Sequence, residues 1–212
     1  MYDAQKLYSI KEALEILGKF PKVKFDETVE VHVKLEIDPK KTDQQIRTTV
    51  SLPHGNGKET KVVAFTEGQE KEAKAAGADI VGGEELIAKI AKDKDIAVDV
   101  AVATPDMMPK LAKIAKILGP KGLMPNAKSQ TVSPQVEKMV KEIKKGKASF
   151  KSDNGGNIHL ALGKRSFDVK KLEENFEEFK KVLQASKPES VKKAFIKNIS
   201  ISATMTPSIK VK

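Results

Sequence analysis

In the stretch TVEVHVKLEI, residues 28–37, apolar and polar side chains alternate without a break. This period of two is typical of a strand with one face in a hydrophobic core and the other in water. A second alternating run covers 46–52 and ends at the breaker sequence PHGNG, residues 53–57. Together with a helix predicted over 9–18, these two strands are too small to bury an independent core.

A different pattern begins at Lys61. Short, continuously apolar runs now alternate with helical stretches, which is typical of a parallel sheet covered by helices on both faces. The predicted strands lie near 61–65, 78–83 and 98–104, and the predicted helices near 68–76, 84–91, 105–118 and 133–145. This middle stretch therefore predicts a separate small α/β domain.

Strict alternation returns after Gly146, in 157–163 and again from Ile199 to Ala203. A helix is predicted between them over 167–183, and a second, short helix from Pro188. The chain ends therefore complete each other: residues 1–57 and 147–212 are predicted to form one discontinuous antiparallel α+β domain. Residues 58–146 form the inserted parallel-sheet, Rossmann-like α/β domain. Two neighbouring linkers of this kind predict a hinge with relative domain motion.

The net charge of +10 is unevenly distributed and favours a polyanionic partner. Residues 1–57 carry nine basic and nine acidic side chains, whereas 147–212 carry fourteen basic and seven acidic ones. The chain has two arginines, Arg47 and Arg165, among 39 basic residues. Because lysine attracts phosphate but lacks the planar fork that reads guanine, this composition disfavours sequence-specific DNA binding. A lysine-rich composition also fits simple solubility.

Several other classes of protein are disfavoured. The chain has no cysteine, so thiolate metal sites, disulfides and cysteine nucleophiles are excluded. Charged residues are spread through residues 1–20 and leave no apolar signal core, so we expect no secretion signal. We also expect no membrane span. The sequence GNGKE, residues 55–59, lacks the upstream glycine and the Ser/Thr of a phosphate-binding loop. Three scattered histidines predict no metal site, so we expect no metal, no cofactor and no catalytic residues.

The alternation at the end of the chain leaves a row of hydroxyl side chains: Ser200, Ser202, Thr204, Thr206 and Ser208. One interpretation is an ordinary solvent-facing strand. The other is an RNA surface, because lysines would attract phosphates while uncharged hydroxyls contact the 2′-hydroxyls of the shallow RNA minor groove.

Several motifs, spread in order over nearly the whole chain, resemble the bacterial-type ribosomal protein L1 family of the large subunit. They are FDETVEV (25–31), LEIDP (35–39), TVSLPHG (49–55), AGAD (76–79), GGE (82–84), LGPKGLMPN (118–126), IH (158–159), GK (163–164), TM (204–205) and PS (207–208). The resemblance implies a two-domain, cytoplasmic protein of the large ribosomal subunit that is a monomer when free. It also implies binding to the rRNA stalk beside the tRNA exit site, contact with deacylated tRNA through that stalk, and repression of its own messenger RNA.

By motif, the family's RNA-contacting surface falls on the discontinuous domain. It would comprise Lys24, Phe25, Thr28, Lys34, His159, Lys164, Ser166, Ser202, Thr204, Met205, Thr206 and Ser208. The chain departs from the family at Thr206, where members usually have glycine. A competing hypothesis, based on the central α/β alternation, is a small enzyme that binds a nucleotide or a phosphorylated metabolite. The missing phosphate loop and the lack of a paired acid and base argue against it.

Overall fold

The computed structural model describes residues 2–41, 43–93, 96–191 and 194–212. The strands are β1 (Thr28–Leu35), β2 (Arg47–Ser51), β3 (Val62–Phe65), β4 (Ile80–Gly82), β5 (Val100–Ala103), β6 (Lys147–Lys151), β7 (Asn157–Lys164), β8 (Ile196–Ala203) and β9 (Ile209–Val211). The α-helices are α1 (Ile10–Lys19), α2 (Glu70–Ala75), α3 (Glu84–Asp93), α4 (Met108–Leu111), α5 (Ala115–Leu118), α6 (Val136–Lys144) and α7 (Val169–Ala185). None of the helices in these ranges combines the length and the apolar character of a membrane span.

The chain divides into two compact units. Unit 1 comprises Met1–Lys58 and Gly146–Lys212, and unit 2 comprises Glu59–Lys145.

Unit 1 is built on a four-stranded antiparallel sheet in the order β7-β1-β8-β9. The apolar members of the alternating stretches, such as Val31, Ile158 and Ile201, are buried on one face. Helices α1 and α7 bury Leu17, Phe176 and other apolar side chains in the same core. A two-stranded antiparallel ribbon, β2 with β6, adds its buried residues to that core. The opposite face of the sheet carries the polar members of each strand.

Helix α1 begins where the sequence predicts. Ser9 is its N-cap: the backbone N–H of Glu12 donates to Ser9 Oγ at 3.3 Å, and the Ser9 N–H donates to Glu12 Oε2 at 2.9 Å. This capping box satisfies two backbone donors at the start of the helix. The helix runs on through Gly18 to Lys19, so the prediction that Gly18 ends it is wrong by one residue.

Unit 2 contains a three-stranded parallel sheet in the order β4-β3-β5. Alternate residues of β3 enter two separate cores, because successive side chains of a strand point to opposite faces. Val63 and Phe65 pack in one core with Leu111, while Val62 and Ala64 pack in the other with α6. The predicted parallel sheet with both faces covered is confirmed.

The helix predicted over 105–118 is broken into short pieces. A 3₁₀ turn (Pro105–Met107) precedes α4, and another (Ala112–Ile114) separates α4 from α5. Pro109 explains much of this, since proline donates no backbone hydrogen bond and its ring clashes with the carbonyl four residues earlier. The short helix expected from Pro188 is a turn closed by Val191 N–H donating to the Pro188 carbonyl, and 192–193 lie outside the described residues.

Candidate nucleic-acid interface

Three segments of unit 1 meet where β1 begins: residues 24–28, the loop after β7 and the turn after β8. The register of the sheet pairs Thr28 with Lys164. The Thr28 N–H donates to Thr204 Oγ1 at 3.1 Å, and Lys164 Nζ donates to Thr28 Oγ1 at 3.0 Å. Ser166 Oγ donates to Asp26 Oδ2 at 2.7 Å. Residues far apart in the sequence thus form one continuous site, which we call the strand-end cluster: Lys24, Phe25, Thr28, Lys164, Ser166, Thr204, Met205 and Thr206.

Two large apolar side chains of the strand-end cluster are exposed to solvent. Phe25 is 54% exposed and Met205 is 68% exposed. Among the described residues, the other large exposed apolar side chains are Leu7 and Val23. Exposed apolar side chains in a basic, hydroxyl-rich setting are suited to contact nucleic-acid bases and sugars.

A buried ion pair holds the cluster together. Glu27 is 1% exposed, forms an ion pair with Arg165, and accepts a hydrogen bond from the Met205 N–H at 2.9 Å. Arg165 also donates to the carbonyl oxygens of Leu17, at 2.9 Å, and Pro21, at 3.1 Å. The pair therefore ties the start of β1 to the end of α1, the loop after β7 and the turn after β8.

Burial alone would raise the pKa of Glu27, but the hydrogen bonds from Arg165 and the Met205 N–H outweigh it and hold this pKa below its usual value. Glu27 is not among the site residues predicted from the sequence. A usable signal existed in Arg165, because an arginine in a lysine-rich chain suggests a position that needs a planar, multidentate donor.

The remaining site candidates lie on the polar face of the sheet or near β9. Lys34 is at the far end of β1 from Thr28, roughly 20 Å away at about 3.3 Å per residue, and its Nζ donates to the Gly155 carbonyl. His159 and Ser202 lie between these ends, on the strands that flank β1. Ser208 is exposed just before β9 and accepts a hydrogen bond on its carbonyl oxygen from Tyr2 Oη at 3.4 Å.

The predicted row of five hydroxyls on one strand face is wrong. Strand β8 ends at Ala203, so that only Ser200 and Ser202 of the five lie on it. Thr204 turns its hydroxyl to the backbone of Thr28, as described above. Thr206 folds back and accepts a hydrogen bond from the Ala203 N–H at 2.8 Å. A period of two in the sequence cannot reveal where a strand gives way to a turn when serine and threonine continue into it.

Thr206, which stands where members of the family usually have glycine, causes no backbone strain. Within the described residues, Gln130 is the one non-glycine residue with a positive φ, so Thr206 does not occupy a conformation that favours glycine. Its hydroxyl closes the turn in which Thr204 and Met205 are displayed.

Comparison with known proteins identifies the family. A family model described as "Ribosomal protein L1p/L10e family" matches residues 17–207. The chain belongs to this family. Its members are ribosomal proteins and not enzymes, which removes the nucleotide-binding enzyme as an alternative.

The chain is also similar over its full length to curated proteins named "Large ribosomal subunit protein uL1". It is 50% identical to that of Thermosipho africanus, covering 100% of this chain and 91% of the relative. It is 51% identical to that of Persephonella marina, covering 99% of this chain and 88% of the relative. It is 51% identical to that of Mesoplasma florum, covering 100% of this chain and 93% of the relative.

Proposed function

We propose that this protein is a structural constituent of the large ribosomal subunit, and thus cytoplasmic, and that unit 1 binds the stalk of large-subunit rRNA beside the tRNA exit site. The observation that carries the proposal is the strand-end cluster, where Phe25 and Met205 are exposed next to Lys24 and Lys164. Family membership and the names of the relatives support the same assignment.

The chemistry of the cluster suits RNA better than duplex DNA. Lysines attract phosphates without reading bases, and hydroxyls such as those of Ser166 and Thr28 match the hydrogen-bonding capacity of 2′-hydroxyl groups. Phe25 and Met205 offer apolar surface to unstacked bases or to sugars. The buried Glu27–Arg165 pair keeps these groups in place before RNA arrives, which lowers the entropic cost of binding.

A titration against three nucleic acids tests this proposal. The full chain is titrated by filter binding with stalk rRNA, a scrambled RNA of equal length and a duplex DNA of equal length, at one fixed salt concentration. We expect a clear preference for stalk rRNA, by about 10³-fold or more over the non-specific competitors. Equal affinity for all three would contradict the proposal, because charge alone would then explain binding.

We further propose that the same surface binds a stalk-like structure in the protein's own messenger RNA and represses its translation. Deacylated tRNA at the exit site would be reached through the rRNA stalk. The resemblance to the family is what supports both roles. If one surface serves both RNAs, stalk rRNA should displace the messenger fragment competitively, and Met205→Ala should weaken both complexes alike. Simultaneous binding of the two RNAs to one molecule would refute a shared surface.

A further inference from the structure

Two histidines face each other on the polar side of the unit 1 sheet. His32 on β1 is the register partner of His159 on β7. Their Nδ1 atoms are 2.8 Å apart, and their ring centroids 5.1 Å apart. The second nitrogen of each ring, Nε2, lies near another side chain. His32 Nε2 is 3.1 Å from Ser202 Oγ, and His159 Nε2 is 3.6 Å from Asp153 Oδ2.

This geometry makes the proton count of the pair sensitive to its surroundings. Two imidazole nitrogens at 2.8 Å must share one hydrogen, so that one ring donates and the other accepts. A further proton converts one ring to a cation, and the Asp153 carboxylate lies on the side where that charge would be stabilised. A proton on both facing nitrogens would place two donors against each other, so the pair carries one positive charge at most in this arrangement.

The charged groups around the pair lie on β1, in the turn before β7 and on β9. They are Glu30 and Lys34 on β1, Asp153 in the turn before β7, and Lys210 on β9, which is paired in register with Ser200 of β8. Burial and the neighbouring His159 lower the pKa of His32, and Glu30 acts in the opposite direction with a smaller effect. His32 is therefore neutral at pH 7 in the unbound protein.

We propose that His32 is an additional RNA-contacting residue and that the His32–His159 pair takes up a proton when RNA binds. The inference rests on the proposed function, since the pair lies on the same sheet face as Ser202 and Lys34. His159 has a side chain that is 53% exposed, so a phosphate can approach it directly. A phosphate near the pair favours the protonated form, which raises its pKa in the complex relative to the unbound protein.

The sign of the pH effect follows from this linkage. Because the complex binds the proton more tightly, affinity for RNA rises as the pH falls through the interval between the pKa of the complex and that of the unbound pair. A pKa difference of one unit corresponds to about a tenfold gain in affinity across that interval. Because the pKa of unbound His32 lies below the ordinary value of 6.5, the gain should develop from about pH 7 downward and continue below pH 6.5.

The test measures the affinity of the full chain for stalk rRNA from about pH 8 to about pH 5 at constant ionic strength, with a metal chelator present. We expect about a tenfold rise for the wild type and a nearly flat profile for the double variant His32→Gln/His159→Gln, which removes both rings of the pair. The matched control is His54→Gln, because His54 bonds to Glu174 of α7 and belongs to neither the cluster nor the pair. This control should keep the full rise.

Calorimetric titration of the same complex in two buffers with different ionisation enthalpies counts the protons directly. We expect net uptake for the wild type near pH 6.5 that is lost in the double variant His32→Gln/His159→Gln, with thermal melts showing that the variant is folded. Binding without pH dependence or proton uptake, or a rise that disappears in His54→Gln instead, would overturn this inference and leave the proposed function intact. No preference for stalk rRNA at any pH would overturn the proposed function itself.

Discussion

At the scale of single residues, the Glu27–Arg165 pair is the most consequential feature of unit 1. Removing one partner of a buried ion pair leaves the other charge buried without compensation, which costs about 3–5 kcal/mol. We therefore expect Glu27→Ala to lower the free energy of unfolding of unit 1 by an amount in this range. Glu15→Ala, an exposed change on α1, should stay within about 0.5 kcal/mol of the wild type.

Tyrosine fluorescence provides the readout for this comparison. The chain contains two tyrosines and no tryptophan, and both Tyr2 and Tyr8 lie in unit 1. Denaturation followed at the tyrosine emission band therefore reports on unit 1 and is blind to unit 2. Equal stability of Glu27→Ala and Glu15→Ala would show that the pair does not hold the strand-end cluster together.

Asp153 stabilises unit 1 in a way that should be lost at acid pH. Its carboxylate accepts hydrogen bonds from the N–H groups of Gly155, at 2.8 Å, and Asn157, at 2.7 Å. The bonds from the backbone and side chain of Asn157 are the main reason that the pKa of Asp153 falls from 3.8 to about 2. Because the folded-state pKa is lowered, this stabilisation is complete above about pH 4 and is lost as the pH falls through 2.

Asp153→Asn tests that pH dependence. The variant should be less stable than the wild type at pH 7. The difference should narrow as the pH falls toward 2, because the wild-type carboxylate takes up its proton near pH 3.8 in the unfolded chain but only near pH 2 in the folded one. The measurement is the urea midpoint by tyrosine fluorescence across this range. A difference that stays constant down to pH 2 would mean that the carboxylate charge is not what stabilises the turn.

At the scale of elements, replacing glycine by alanine should change the stability of unit 1 in opposite directions at two positions. Gly146 has φ +108°, and a Cβ there would lie 2.5 Å from the Gly55 Cα, so Gly146→Ala should destabilise unit 1 by more than about 1 kcal/mol. Gly18 lies in α1 with nothing within 4 Å of a Cβ, so Gly18→Ala should stabilise it by about 0.5–1 kcal/mol. Tyrosine-monitored denaturation checks both, and a stabilising effect of Gly146→Ala would contradict the backbone geometry.

Elements were predictable from the sequence where one local pattern decides them. The alternation in 28–37 and the apolar run at 62–65 each specify a strand and its buried faces, and both are confirmed. The break in the helix around Pro109 and the end of β8 at Ala203 were missed, because apolar spacing and polar alternation continue past both points. At Pro109 the missing N–H and the bulk of the ring interrupt the helix despite the apolar spacing. At Ala203 the hydrogen bond from its N–H to Thr206 Oγ1, which forms only in the folded chain, ends the strand.

Only the part of the candidate site that short sequence motifs mark could be predicted from the sequence. Motif resemblance identifies Phe25 and Met205, and their exposure in the structure is consistent with a contact role. Glu27 and the His32–His159 pair escaped prediction because their roles depend on contacts across more than a hundred residues. Strand register creates these contacts, and a single sequence without its register does not reveal them.

At the scale of the whole molecule, the uneven charge predicts a strong effect of salt on RNA binding. If unit 1 contacts four to six phosphates, log affinity should fall against log salt concentration with a slope of about −3 to −5. The measurement is the affinity for stalk rRNA between low and moderate salt. A flat profile would exclude a large electrostatic contribution and leave the excess of lysines without a role in binding.

Three alanine variants show directly whether the strand-end cluster is the rRNA-binding surface. The affinity for stalk rRNA is measured for Phe25→Ala, Met205→Ala and the control Leu7→Ala. Leu7 is a matched control because it is 49% exposed, belongs to unit 1 and lies outside the cluster. We predict a loss of about 1–3 kcal/mol for each cluster variant, less than about 0.5 kcal/mol for Leu7→Ala, and similar melting temperatures for all three. Cluster variants that bind stalk rRNA as tightly as Leu7→Ala would show that the strand-end cluster is not the rRNA-binding surface.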